Sequence, residues 1–190
     1  MHFCAAALIA CAALTITTAA AAILEGQRFE DNARLATQDI VLNGLGLRSM
    51  FFVKVYVAGL YLPEKNTSLG AILKLQGPKR LQLRMLRKAD PDDFIEAMIE
   101  GIEENTSKAE LAQLSVRMRQ LEQSIIAIGS VVAGDSINFD FVPGVGTSLS
   151  INGVKKGSVI DGADFHNAVL KIFIGQQPVD DRLKAGLLGR

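Results

Sequence analysis

Residues 50–62 read MFFVKVYVAGLYL and are closed by Pro63. The run is too apolar, and too rich in Val, Phe and Tyr, for a surface helix, so it predicts a strand that Pro63 ends. With a period of two, Phe51, Val53, Val55 and Val57 fall on one face, and Phe52, Lys54, Tyr56 and Ala58 fall on the other. The first face is a core face. The second is mixed, as if it lined something other than bulk water. Residues 80–87 repeat the theme, with Leu81, Leu83 and Met85 opposite Arg80, Gln82 and Arg84. That predicts a strand with one wet face, as antiparallel sheets have. Ile137, Phe139 and Phe141 alternate with Ser136, Asn138 and Asp140; Leu149 and Ile151 continue, and Asn152-Gly153 is a hairpin turn into residues 154–160.

Helices fill the middle of the chain. Asp90 reads as an N-cap with Pro91 at N1 and Asp93 at N3. Phe94, Ile95, Met98, Ile99 and Ile102 then form an apolar stripe opposite Glu96, Glu100 and Glu103. Ser107 and Glu110 are spaced as a capping box. The helix they open carries Leu111, Leu114, Met118, Leu121, Ile125 and Ile128 at intervals of three and four, and Gly129 stops it. A further helix is predicted from an Asp161 N-cap to Ile174, with Gly175 after it, and a short one over residues 179–188. Strands, two helices, a hairpin and helices again give no βαβα alternation. The order predicts an α+β fold, an antiparallel sheet with helices on one face.

Residues 1–22 are apolar except for His2, Thr15, Thr17 and Thr18, and end in four alanines. Small residues after an alanine-rich run are what a signal peptidase reads, so the domains are expected to be a signal peptide over 1–22 and one domain over 23–190, with the protein periplasmic or secreted. An uncleaved anchor is the alternative, since the run is long enough to span a bilayer. Both cysteines, Cys4 and Cys11, lie in this segment. The remainder therefore has no thiol, disulfide or zinc–thiolate chemistry, and with His166 its sole histidine both a histidine-based metal site and a Ser-His-Asp triad are all but excluded. The chain has 20 basic and 20 acidic residues, both signs interspersed, which argues against nucleic-acid binding. The acidic residues from Asp90 to Glu104 fit helix-start and helix-surface spacing better than a calcium loop, and Asp180-Asp181 fits compensation of a helix dipole. Gly44-Leu45-Gly46 lacks the third glycine and the helix of a dinucleotide loop. No metal and no cofactor is expected.

Arg48 stands out because residues 40–62 are otherwise nearly all apolar or glycine. It either sits in an exposed turn with its charge in water or points into a cavity, where its planar fork would hold an anion. Tyr56 lies on the same side as Lys54, and its hydroxyl could complete such a site; a tyrosine packed in the core is the other reading.

The segments Leu42-Asn43-Gly44-Leu45-Gly46-Leu47-Arg48 and Phe52-Val53-Lys54-Val55-Tyr56-Val57-Ala58-Gly59-Leu60-Tyr61-Leu62 resemble the N-terminal signature of the chalcone isomerase-like family. Residues 168–175 and 179–189 resemble its closing helices. The resemblance implies an open-faced β-sandwich of chalcone isomerase type, a large antiparallel sheet covered by a layer of helices with a ligand cleft between. The family includes enzymes that cyclise chalcones, fatty-acid-binding proteins and non-catalytic relatives. Arg48 matches the arginine that stabilises the phenolate in the enzymes. Tyr56 stands where the enzymes have a threonine, and the pair Arg48 and Tyr56 looks more like the carboxylate clamp of the fatty-acid-binding branch. Phe94 and Gly101 fall where the enzymes use a tyrosine and an asparagine, and His166 where they have Ser or Thr.

The expected function is therefore non-catalytic binding of an apolar carboxylate, a fatty acid or similar, with its head group held by Arg48 and Tyr56. Lys54, Phe94 and His166 complete the candidate set. The alternative is an isomerase or intramolecular lyase acting on a phenolic or enone-like substrate, with Arg48 its catalytic residue. A third reading makes the long helix of residues 111–128 a surface for a protein partner. The expected partner is a small apolar ligand, together with peripheral association with membrane lipids.

Overall fold

The computed structural model describes residues 20–190, so most of the expected signal peptide, residues 1–19, lies outside the described residues. A small hairpin, β1 (Ala21–Leu24) with β2 (Gln27–Glu30), precedes a seven-stranded sheet. Its strands are β3 (Asn32–Leu35), β4 (Gln38–Met50), β5 (Val53–Leu62), β6 (Lys79–Met85), β7 (Ser136–Val142), β8 (Gly146–Ile151) and β9 (Val154–Ile160). They lie in sequence order and every pair is antiparallel. The helices are α1 (Leu69–Lys74), α2 (Pro91–Glu104), α3 (Lys108–Ile128), α4 (Ala163–Ile174) and α5 (Asp181–Leu187). This is the expected α+β arrangement. The expected boundary at residue 22 falls inside β1, where Ala21 and Ala22 pair with Glu30 and Phe29.

Alternation along the strands divides the interior in two. Ala58, Leu60 and Leu62 of β5, Leu81, Leu83 and Met85 of β6, and Ile137 and Phe139 of β7 face the helices. There they meet Met98 and Ile102 of α2, Leu121 and Ile125 of α3, and Val169 and Phe173 of α4. The stripe of α3 is thus spent on the core, which removes it as a partner surface. On the opposite face Phe29, Ile40, Leu42, Val57 and Tyr61 form a second cluster around β2. The polar side of β6 is less wet than its alternation predicts. Arg80 forks onto Asp140 at 2.6 and 2.7 Å, Gln82 donates to Asn138 at 2.9 Å, and Arg84 lies over the Phe29 ring at 5.2 Å.

Several local predictions shift. The strand predicted over 50–62 is β5 alone, because the chain turns at Phe51 and Phe52, which are 96% and 101% exposed. Phe51 therefore does not face the core. Asp90 caps α2 by position, but its side chain goes to Ser130 and Lys88 instead of to the helix. The N-cap of α4 is Gly162, at φ 95, not Asp161. The Ser107–Glu110 capping box and the Asn152-Gly153 turn form as predicted, the latter with φ of 50 and 81.

Gly44 and Gly46 also find their use. A Cβ on Gly44 would overlap the Gly186 carbonyl oxygen, and one on Gly46 would overlap that of Leu183. A Cβ on Gly186 would strike the Leu45 carbonyl in return. These glycines let α5 lie directly on the backbone of β4, and Asn43 locks the seat by donating to the Leu187 carbonyl at 2.7 Å.

Candidate ligand-binding cleft

Between the sheet and α2 runs a cleft of about 700 Å³, within the range of small-molecule sites. Its apolar wall is made by Val55, Leu83, Met85, Phe94, Ala97 and Ile137. Phe94 is held edge-on to Phe139, ring centres 6.4 Å apart. Val179, from the α4–α5 connection, closes one side. Gly101, which lines the cleft from α2, also lets that helix pack closely on α4, since a Cβ there would lie 2.6 Å from Ile172.

Arg48 and Tyr56 supply the polar end. They are paired across β4 and β5, next to a bulge between Arg48 and Ser49. The Arg48 side chain is 20% exposed. Its Nη1 donates to the Ser49 carbonyl at 2.8 Å and to Asp180 Oδ2 at 3.5 Å. Nε and Nη2 have no protein acceptor among the described residues. Neither open reading of Arg48 holds in full, since the arginine lines the cleft but already has a counter-charge. Asp180 has four partners. Oδ1 accepts from the Arg182 and Leu183 N–H groups at the start of α5, and Oδ2 faces both Arg48 and the Ser49 N–H. Burial alone would raise its carboxyl; the Leu183, Ser49 and Arg182 N–H groups and the Arg48 charge hold it below its ordinary value.

Burial pushes the Tyr56 phenol well above its ordinary range, against the pull of the Arg48 charge. It is therefore a neutral donor at any physiological pH. No group among the described residues hydrogen-bonds its hydroxyl. A hydroxyl and a guanidinium edge thus stand unengaged beside the apolar wall of a cleft that Arg87, Lys88, Asp93, Glu96, Glu100 and Glu104 also line, an arrangement that can hold a carboxylate or another oxyanion.

The structure brings Arg48, Tyr56, Phe94 and Gly101 together and leaves out two other candidates. Lys54 is turned away and pairs with Glu25 at 2.6 Å. His166 is fully buried in α4, stacked on Phe141 at 4.9 Å and sharing a hydrogen bond with Thr147 at 3.3 Å. Burial, with the Lys79 charge beside it, pushes its imidazole down to about 3. Its neighbour Phe141 lines a separate hollow of about 460 Å³ with Lys79 and Asp161, away from Arg48. Sequence reasoning missed Asp180 as the partner of Arg48. Its position just before the last helix was visible, but the 132-residue separation from Arg48 was not. Among the described residues no group of acidic, histidine or cysteine side chains could hold a metal.

Residues 21–189 match the family described as chalcone isomerase-like. No curated protein sequence matches the chain. Among solved structures, the chain is similar to a fatty-acid binding protein of Arabidopsis thaliana, with a TM-score of 0.72 at 16% identity over 89% of this chain and 96% of that one.

Proposed function

Since the chain belongs to the chalcone isomerase-like family, we propose that it binds an apolar carboxylate, a fatty acid or similar molecule, without chemical conversion. The carboxylate lies against Arg48 Nε and Nη2 and takes a hydrogen bond from the Tyr56 hydroxyl; the tail runs along Val55, Leu83, Met85, Phe94 and Ile137. The observation that carries this reading is the unengaged guanidinium edge and hydroxyl beside the apolar wall of the cleft. Each methylene withdrawn from water contributes about 0.8 kcal/mol, so the tail supplies affinity and the head group supplies orientation. The similarity to a fatty-acid binding protein supports the same reading.

The isomerase alternative rests on Arg48, which is placed to stabilise an oxyanion. Phe94 and Gly101, however, offer no hydrogen bond or proton where the enzymes of this family carry both. Organic extraction of the purified protein followed by mass spectrometry tests the two. A stoichiometric fatty acid supports the binder. An empty cleft, together with turnover of an added chalcone, overturns it in favour of the isomerase.

The export reading belongs to the same proposal, because residues 1–22 have the composition of a cleaved signal and an envelope compartment holds abundant lipid. A cut after Ala22 would remove Ala21 and Ala22, which pair with Glu30 and Phe29 in β1. The intact mass of the protein recovered from the envelope fraction checks this. A chain recovered with residue 1 still in place would refute the export cut.

A further inference from the structure

The turn between β4 and β5 is built against every preference of a hairpin. Such turns favour Asn or Gly, which tolerate a left-handed backbone and face water. Here Phe51 holds φ at +54, a region that bulky side chains avoid, and both central residues are phenylalanine. Phe51 is 96% and Phe52 101% exposed, flanked by Met50 at 50% and Val53 at 47%. No fold requirement explains this, since neither ring belongs to a core cluster. Four consecutive exposed apolar residues on one protruding turn are the composition of an insertion loop.

The position of the turn says what it meets. Met50 is at once part of the tip and part of the cleft wall, and Val55 and Tyr56 line the cleft a few residues beyond the tip. Cations stand behind it. Lys54 directly follows the tip, and the Leu86 N–H bonds the Val55 carbonyl at 2.9 Å, which sets exposed Arg87 beside the same strand. Arg87 has no ion pair among the described residues, whereas Lys54 and Lys88 are partly offset by Glu25 and Asp90. Aromatic rings ahead of cations match the layering of acyl chains beneath phosphates.

We propose that the Met50–Val53 tip docks the protein on a phospholipid bilayer, with the Phe51 and Phe52 rings in the acyl boundary and the cleft mouth facing the membrane. The ligand then passes between bilayer and cleft without crossing bulk water. The purpose of the docking rests on the ligand reading above; the docking itself does not. Because the cations are few, partly paired and offset by Asp93, Glu96, Glu100 and Glu104, which line the same cleft, attachment is carried by the rings and depends only weakly on salt.

The chain contains no tryptophan, so Phe52→Trp gives a single reporter. On vesicles of phosphatidylcholine with phosphatidylglycerol, its emission should shift to the blue and be quenched by brominated acyl chains. In sedimentation with the same vesicles, the Phe51→Ser/Phe52→Ser double variant should bind about tenfold or more weaker than the unaltered protein. It should keep its circular dichroism and, in vesicle-free buffer, its affinity for a dissolved fatty acid. Unchanged emission with vesicles present, or equal sedimentation of the two proteins, overturns the proposal. So does self-association of the unaltered protein that the double variant abolishes, which would assign the tip to a second copy of the chain. Loss of fatty-acid binding in the vesicle-free assay for both proteins strikes the ligand reading and leaves the docking result standing.

Discussion

Replacing Arg48 by Met removes the charge and the fork while keeping an unbranched apolar stem. In the ligand-free protein Nη1 already serves Ser49 and Asp180, so a bound carboxylate gains what Nε and Nη2 offer. Hydrogen bonds to charged groups contribute about 1.5–3 kcal/mol. With one nitrogen committed and Asp180 opposing the incoming charge, the lower half of that range applies. Arg48→Met should therefore weaken a long-chain fatty acid by about 13- to 45-fold. The methyl ester of the same acid presents no charge and should lose less than about 0.5 kcal/mol. Fold stability should hardly move. The Arg48–Asp180 contact is partly exposed and 3.5 Å long, a class worth about 0–1 kcal/mol, and Asp180 keeps its bonds from Ser49, Arg182 and Leu183. Calorimetric titration of delipidated protein with acid and ester, on both proteins, measures the four affinities. Equal weakening of acid and ester, or weakening of neither, would refute the assignment of Arg48 to the head group.

Phe94→Ala should show the complementary pattern in that assay, lowering acid and ester affinity alike by about 1–2 kcal/mol, because the ring meets the tail and not the head. Gly46→Ala forces a methyl against the Leu183 backbone and should destabilise by about 2–3 kcal/mol, whereas Gly70→Ala in α1, which meets nothing within 4 Å, should stabilise by about 0.5–1 kcal/mol; thermal melts rank the two. For His166 the folded value of about 3 lies below the ordinary 6.5, so the unfolded chain takes up the proton first. Its contribution to stability is full above pH 6.5, falls by up to ~1.4 kcal/mol per pH unit down to about 3 and is flat below. Urea midpoints across that window should show a steeper acid loss for the unaltered protein than for His166→Gln, and parallel curves would sink the claim.

Local chemistry was legible in the sequence wherever one residue type decides the backbone. Ser107 with Glu110, Asn152-Gly153 and the alternation of residues 81–85 each state a short-range rule that the fold obeys. Residues 50–62 misled because composition alone cannot separate a strand from an apolar turn. Phe51 and Phe52 continue the β pattern of their neighbours, and only the partner strand, β4, shows that the chain reverses there. The hairpin of β1 and β2 was hidden for the opposite reason: Ala21 and Ala22 read as the end of an alanine run. At the site, Arg48 and Tyr56 were recognisable because charge and hydroxyl are rare in that stretch. Gly44, Gly46 and Gly186 were not, since their purpose is an approach of α5 to β4 across more than a hundred residues. Asp180 announced only its role as a cap.

Asp180 serves two masters with two oxygens, securing α5 through Oδ1 and answering Arg48 through Oδ2. An anion that arrives on Nε and Nη2 leaves Nη1 with Asp180, so filling the cleft and seating α5 are coupled at most by a partly exposed ion pair, about 0–1 kcal/mol. Thermodynamic reciprocity then runs both ways: whatever penalty a ligand places on the seat of α5, loosening α5 returns as affinity. The short terminal helix thus delivers to the cleft the counter-charge of its arginine, at the end of the chain farthest from it in sequence.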